Sequence, residues 1–148
     1  MILTVTPNPA VDLTWHVDRL TPGATHRVPT GASRAGGKGL NTARVLHAAG
    51  HDVLALATSG GATGDEFRAE LEASGIPVVI FTRDQPKDIP ANWMWARGVR
   101  LDAEGLLRVV PDIAGRHSYV SGPAGLIADL APALEQSRSL TTDAFSGY

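Results

Sequence analysis

The sequence has 148 residues, of which 43% are hydrophobic and 19% charged, and its formal net charge at pH 7 is −2. This length and composition fit one domain with a single hydrophobic core. Acidic and basic residues are interspersed, which excludes the basic surface expected of a protein that binds nucleic acid or an anionic membrane. We therefore expect a small-molecule partner, with no nucleic acid and no membrane. The absence of cysteine excludes disulfides and thiolate metal sites.

The amino terminus lacks the features of a secretion signal. Met1 is followed at once by a short β-branched run and a Pro/Asn turn, without the basic and long apolar regions of a signal peptide. No apolar run approaches the roughly 20 residues that span a membrane. The sequence therefore favours a cytoplasmic protein.

Strand patterns dominate the first half of the chain. Apolar runs bounded by turn residues predict three buried strands. They cover residues 2–6, 53–58 and 78–81. Residues 11–18 alternate between apolar and polar, which predicts a strand with one covered face, and a second short strand is expected near residues 26–29. These two alternating strands predict a small β lid.

Two helices are expected between these strands. One follows the glycine-rich segment 36–39 and ends at Gly50, where a left-handed residue normally terminates a helix. The other follows Gly64 and ends at Gly75. Strands and helices joined by short Gly-rich turns predict an α/β layered domain with a largely parallel sheet.

The second half continues the alternation after a proline-broken loop that contains Trp93 and Trp95. A short helix, a short strand, a Ser-Gly-Pro turn, a longer helix and a final strand are expected in that order. The first four cover residues 103–110, 118–120, 121–123 and 124–136.

Three features of the first half could bind a ligand. Glycines before a helix let backbone N–H groups approach an oxyanion, although the same cluster could be only a tight loop with a solvated Lys38. Asp12 could accept hydrogen bonds from sugar hydroxyls, or be a solvated turn carboxylate. Asn41 could bind a hydroxyl, or cap the helix.

Together these residues resemble a known family. Residues 4–12 (TVTPNPAVD), Arg27 and residues 36–46 (GGKGLNTARVL) closely resemble the ribokinase-like (PfkB) carbohydrate kinases, in the branch of 1-phosphofructokinases and tagatose-6-phosphate kinases. Residues 60–67 extend the resemblance, which ends near Val78. It implies a sugar phosphate as ligand, ATP and Mg²⁺ as cofactors, and a dimer contact through the lid.

The resemblance also implies which residues hold the ligand. The sugar would be held by Asp12, Gly36, Gly37, Lys38 and Asn41. Arg27 and Lys38 would lie near its phosphate. The glycine-rich anion hole and Asp general base of the family are not recognisable in this chain, so we expect no turnover. Arg83 follows a segment that departs from the family pattern and is predicted to be a poor phosphate contact.

The second half resembles a different family. A strand, a Ser-Gly-Pro turn, a helix, a strand and an aromatic ending resemble the tail of ferredoxin–NADP reductase-like flavoproteins. That resemblance implies FAD or NADP as cofactor. Ser121, Gly122 and Pro123 would lie beside the nicotinamide, and Phe145 or Tyr148 near the flavin. The alternative is an ordinary strand-to-helix turn with Pro at the first helical position.

The sequence therefore predicts two segments, residues 1–78 from a ribokinase-like kinase and residues 79–148 from a reductase nucleotide domain. The expected fold is α/β, a Rossmann-like layered sheet from a truncated kinase half with a small β lid, joined to a βαβ-type reductase tail. The preferred function is that of the sugar-phosphate kinase lineage without catalysis. The alternatives are a reductase-derived fragment and a non-functional gene fusion. Whether the two segments share one core is left open.

Overall fold

The secondary structure follows the predicted alternation of strands and helices. The computed structural model describes residues 1–145. Its strands are β1 Ile2–Thr6, β2 Ala10–Thr14, β3 Ala32–Gly36, β4 Val53–Thr58, β5 Val78–Phe81, β6 Trp93–Trp95, β7 His117–Pro123 and β8 Ser139–Phe145. Its α-helices are α1 Lys38–Ala48, α2 Gly64–Ala73, α3 Ala103–Val109 and α4 Ala124–Leu134. None of the helices formed by residues 1–145 has the length and hydropathy of a membrane span.

The main sheet is parallel throughout. Residues 1–145 form a six-stranded sheet in the order β6-β5-β4-β1-β7-β8. The chain starts at β1, extends the sheet to one side through β4, β5 and β6, and then returns to the other side of β1 with β7 and β8. The strand order therefore reverses beside β1, and ligands of open parallel sheets bind at the carboxyl ends of the strands near such a reversal.

Both predicted segments contribute to the hydrophobic core. A buried cluster combines Leu3 and Val5 of β1 with Leu106 of α3, Val120 of β7 and Leu130 of α4. The strand β1 pairs in parallel with β4 on one side and with β7 on the other. Residues 1–78 and 79–145 thus share one sheet and pack together in the same buried hydrophobic clusters.

A small antiparallel sheet projects from the main sheet. The strands β2 and β3 pair so that Ala10 lies opposite Gly36 and Asp12 opposite Arg34. The Ala35 N–H donates to Glu70 Oε2 of α2 at 2.6 Å, which anchors β3 to the helix layer. We call β2 and β3 the two-stranded sheet.

Most sequence predictions of secondary structure are confirmed, and four are wrong. The α/β class, the parallel sheet and the bounds of β1, β4 and β5 are as expected. The strand expected over residues 11–18 ends at Thr14, where its pairing with β3 ends. The strand expected near residues 26–29 is absent there, and β3 begins at Ala32, where pairing with β2 becomes available. The segment with Trp93 and Trp95 is the edge strand β6, because it finds a partner in β5. The Ser-Gly-Pro turn expected at residues 121–123 is the end of β7, because these residues pair with β8.

Candidate functional site

Asp12 and Asn41 meet where the two-stranded sheet approaches α1. The Asn41 Nδ2 atom, in the first turn of α1, lies 3.4 Å from Asp12 Oδ2 of β2 and donates to it. Gly36 lies beside this carboxylate so closely that a Cβ atom there would overlap it. A side chain at position 36 would therefore require the Asp12 carboxylate to move from its observed position. Both side chains are exposed, so a ligand can reach them.

The amino end of α1 presents backbone N–H groups close to these side chains. Gly37 precedes the helix with φ of 107°, a backbone conformation that favours glycine, and no side chain caps the helix. The first N–H groups of a helix carry the positive end of its dipole and favour negatively charged groups. The sequence-predicted residues Gly36, Gly37, Lys38 and Asn41 are thus brought together with Asp12.

Lys38 contacts two residues from the far end of the chain. Its Nζ atom lies 3.0 Å from Asp143 Oδ2 of β8, and 5.3 Å from the centre of the Phe145 ring. The Tyr119 hydroxyl of β7 donates to the same Asp143 oxygen at 3.2 Å. Sequence analysis missed Asp143 and Tyr119, because no local pattern relates Lys38 to a residue 105 positions away or Asp143 to one 24 positions away.

These contacts shift two pKa values in opposite directions. The hydrogen bond from Lys38 is the main cause that lowers the pKa of Asp143 below its usual range. Burial raises the pKa of Tyr119, and the neighbouring Asp143 carboxylate raises it further. Asp143 is therefore negatively charged and Tyr119 neutral near pH 7.

Arg27 is not part of this cluster. It is exposed in the connection between β2 and β3. Within residues 1–145, no hydrogen bond or ion pair holds its guanidinium against Lys38 or Asp12. Its assignment to the sugar phosphate remains a prediction.

The residues predicted to contact a nicotinamide or flavin lie on the last two strands. Ser121, Gly122 and Pro123 form the end of β7 and pair with Asp143, Ala144 and Phe145 of β8. A Cβ atom at Gly122 would lie 2.9 Å from Pro7 Cγ, so the end of β7 packs tightly against the residue that follows β1. Phe145 lies over the Lys38 ammonium. Tyr148 lies outside the described residues.

A large open cavity lies on the main sheet, and none of the predicted sugar residues is among those that line it. Its volume is about 890 Å³, and it is located at the carboxyl ends of β4, β5 and β6. Ser59, Arg83, Trp95 and Arg100 are among its lining residues. A smaller cavity of about 170 Å³ shares Ser59 with it and reaches the turn between β1 and β2. Arg83, predicted to be a poor phosphate contact, thus lines the larger cavity.

No group of three or more His, Asp or Glu side chains that could hold a cation occurs within residues 1–145.

Known proteins match the first part of the chain. The profile of the pfkB family carbohydrate kinases matches residues 6–94, which crosses the boundary predicted at residue 78. The 1-phosphofructokinase of Haloferax volcanii is 47% identical over 85 residues, which is 57% of this chain and 28% of that protein. The tagatose-6-phosphate kinase of Staphylococcus epidermidis is 41% identical over 81 residues, which is 55% of this chain and 26% of that protein. The matched segment thus covers about a quarter of these relatives' length.

Solved structures show the same fold over nearly the whole chain. Phosphofructokinase-2 from Escherichia coli in complex with fructose-6-phosphate aligns with a TM-score of 0.64 at 19% identity, over 99% of this chain and 55% of that one. Its tetrameric inhibited form aligns with a TM-score of 0.65 at 18% identity, over 97% of this chain and 54% of that one. At this identity the likeness concerns the fold alone. It includes residues 79–145, and the comparisons give no support to the reductase resemblance of that segment.

Proposed function

The chain belongs to the pfkB family of carbohydrate kinases, and from this premise we propose that it carries the sugar-phosphate-binding part of a kinase of the 1-phosphofructokinase type. The observation that supports this most is the contact between Asp12 and Asn41 beside the amino end of α1. A carboxylate and an amide side by side offer acceptors and donors to adjacent sugar hydroxyls.

The ligand we propose is a ketose phosphate such as fructose 1-phosphate. Relatives named 1-phosphofructokinase and tagatose-6-phosphate kinase match the segment that contains these residues. In our proposal Asp12 and Asn41 bind hydroxyls of the sugar. Lys38 and the N–H groups at the start of α1 attract the phosphate, as a positive side chain at a helix amino end would.

ATP and Mg²⁺ are the cofactors that the family implies. Among residues 1–145, no cluster of acidic or imidazole side chains fits a bound cation. In our proposal the described residues bind the sugar phosphate. The smaller cavity is lined by Val11, which precedes Asp12 in the sequence, and by Ser59, which it shares with the larger cavity.

Titration calorimetry with fructose 1-phosphate tests this proposal. The Asp12→Ala variant is expected to bind about tenfold more weakly or worse, because a hydrogen bond to a charged acceptor contributes roughly 1.5–3 kcal/mol. Asp18→Ala is the matched control, since Asp18 is an exposed carboxylate in the connection between β2 and β3. Equal affinity of wild type and Asp12→Ala, or no binding by wild type, would contradict the proposal.

The same titration distinguishes the reductase alternative. FAD and NADP are added in place of the sugar phosphate. The kinase proposal expects no binding of either by residues at the end of β7 and β8. Binding of FAD or NADP that is lost in Pro123→Ala would favour the reductase alternative instead.

We also propose that a second copy of the chain covers the two-stranded sheet together with the connection that follows β2. Leu13, Trp15, Val17 and Leu20 are large apolar side chains that are between 41% and 75% exposed. Large apolar side chains exposed close together in the sequence are a feature of protein contact surfaces. Light scattering after size-exclusion chromatography should give the mass of a dimer for wild type and of a monomer for Trp15→Ser. A monomeric wild type at micromolar concentration would contradict this proposal.

A further inference from the structure

The ammonium of Lys38 is already engaged by an anion of the protein itself. The Asp143 carboxylate lies 3.0 Å from Lys38 Nζ through one oxygen and 3.2 Å through the other. Asp143 is two residues from the end of β8, an edge strand of the main sheet. The lysine that would attract the phosphate of a ligand is therefore paired with a negative charge in the folded chain.

We propose that Asp143 is a specificity-determining residue of the sugar site, because its carboxylate competes with an anionic ligand for the Lys38 ammonium. This inference rests on the proposed function for the identity of the ligand. The Asp143 carboxylate lowers the affinity of the site for phosphorylated sugars below the affinity that the Gly-Gly-Lys segment would have without it.

The position of Asp143 is fixed by the sheet. Strand β8 pairs with β7 so that Thr141 lies opposite Tyr119 and Asp143 opposite Ser121. Tyr119 and Asp143 are therefore diagonal neighbours on one face of the sheet, within reach of a long side chain. The Tyr119 hydroxyl donates to Asp143 Oδ2 at 3.2 Å, and a residue that is hydrogen bonded in this way is held facing Lys38.

Phe145 completes the contact. Its ring centre lies 5.3 Å from Lys38 Nζ, within the range of a cation–π interaction. The end of β8 thus presents an acidic and an aromatic side chain to the same ammonium. An anion that binds Lys38 has to displace the carboxylate or tolerate its charge.

The competition affects charged and neutral ligands differently. A phosphate group brought to Lys38 meets the negative charge of Asp143 at close range, whereas the hydroxyls of an uncharged sugar do not. Asp143 should therefore lower the affinity for fructose 1-phosphate relative to fructose. The effect is moderate, because the side chains of Lys38 and Asp143 are 56% and 34% exposed and solvent screens their charges.

Asp143→Asn is the variant that tests this, since the amide has the same shape and keeps an oxygen for Tyr119 and Lys38. Titrations with fructose 1-phosphate, inorganic phosphate and fructose are compared. We expect the variant to bind the two anions about two- to fivefold more tightly and fructose unchanged. Asp143→Glu, which keeps the charge, is the matched control and should not gain affinity for anions.

Repeating the titrations in a Lys38→Met variant shows whether the increase in anion affinity caused by Asp143→Asn depends on Lys38. In that background Asp143→Asn should leave anion affinity unchanged. Melting curves of each variant check that the fold is kept, and Asp143→Ser replaces Asp143→Asn if the latter does not fold. Unchanged or weaker anion binding by the neutral variants, or a gain that persists without Lys38, would overturn the inference.

The inorganic phosphate titration separates this inference from the proposed function. If fructose 1-phosphate does not bind but Asp143→Asn binds phosphate more tightly than wild type, the competition holds and the proposed ligand is wrong. If fructose 1-phosphate binds wild type and Asp143→Asn with equal affinity, the proposed ligand is supported and the inferred competition by Asp143 is wrong.

Discussion

Replacing Gly39 with alanine tests how closely α1 approaches the end of β1. Gly39 is the second residue of α1 and is buried against Thr6 and Val5. A Cβ atom at this position would overlap the Thr6 hydroxyl and lie 3.0 Å from the Val5 carbonyl oxygen. Thr6 is 1% exposed, so it has little room to move away.

Two effects of opposite sign determine the result. Alanine in a helix is favoured over glycine by roughly 0.5–1 kcal/mol. Adding a methyl group to a packed site costs about 1–3 kcal/mol. We therefore expect Gly39→Ala to lower the free energy of unfolding by about 1–2 kcal/mol, which corresponds to a fall in Tm of about 2–4 °C per kcal/mol for a chain of this length.

Gly125→Ala is the matched control, because Gly125 is the second residue of α4 and a Cβ atom there would meet nothing within 4 Å. Urea unfolding should show that this variant is slightly more stable than wild type, while Gly39→Ala is less stable. Adding Thr6→Ala to Gly39→Ala removes the overlapping hydroxyl and should recover part of the lost free energy of unfolding. The recovery is only partial because the Val5 carbonyl oxygen stays close to the new methyl group. Equal stabilisation by the two glycine replacements would refute the close packing of α1 on β1.

Two further predictions concern charged side chains in the scaffold. Glu70→Ala removes the acceptor of the Ala35 N–H and the ion-pair partner of Arg44, and should lower the free energy of unfolding by about 1–3 kcal/mol in urea unfolding. Glu70→Gln should recover part of this loss, and an equal loss in both variants would contradict a role for the Ala35 hydrogen bond. The hydrogen bond from Arg116 lowers the pKa of Asp112 from 3.8. The pair therefore stabilises the fold above that pH, by less than about 1 kcal/mol because Asp112 is exposed, and this contribution is lost as the pH falls through the lowered pKa. Asp112→Asn should show a correspondingly smaller loss of stability between pH 5 and 2, measured by thermal unfolding, and an unchanged pH profile would contradict this assignment.

The central parallel strands could be predicted from the sequence, and the two-stranded sheet only in part. Strand β5 is buried along its whole length and reads as a run of apolar residues between turns. Strand β3 has the sequence Ala-Ser-Arg-Ala-Gly, which carries no β-branched residue. It is a strand because it pairs with β2 and because Glu70 accepts the Ala35 N–H, and neither partner is near in sequence.

The candidate site also has a part that could be predicted from the sequence and a part that could not. Asp12, Gly36, Lys38 and Asn41 occur in one recognisable order, so the sequence alone could indicate that they act together. Asp143 is 105 positions from Lys38 and belongs to a strand whose partner is β7. Its contact with Lys38 depends on the whole sheet, so only the structure could reveal it.

The most direct test of the sugar site is a ¹H–¹⁵N correlation spectrum of the isotope-labelled chain, recorded during titration with fructose 1-phosphate. We predict that amide shifts change first at Asp12, at residues 36–41 and at Asp143, with smaller changes at Ser59. Shifts confined to the ends of β5 and β6, or no shifts at ligand concentrations in the millimolar range, would contradict a sugar-phosphate site at the amino end of α1.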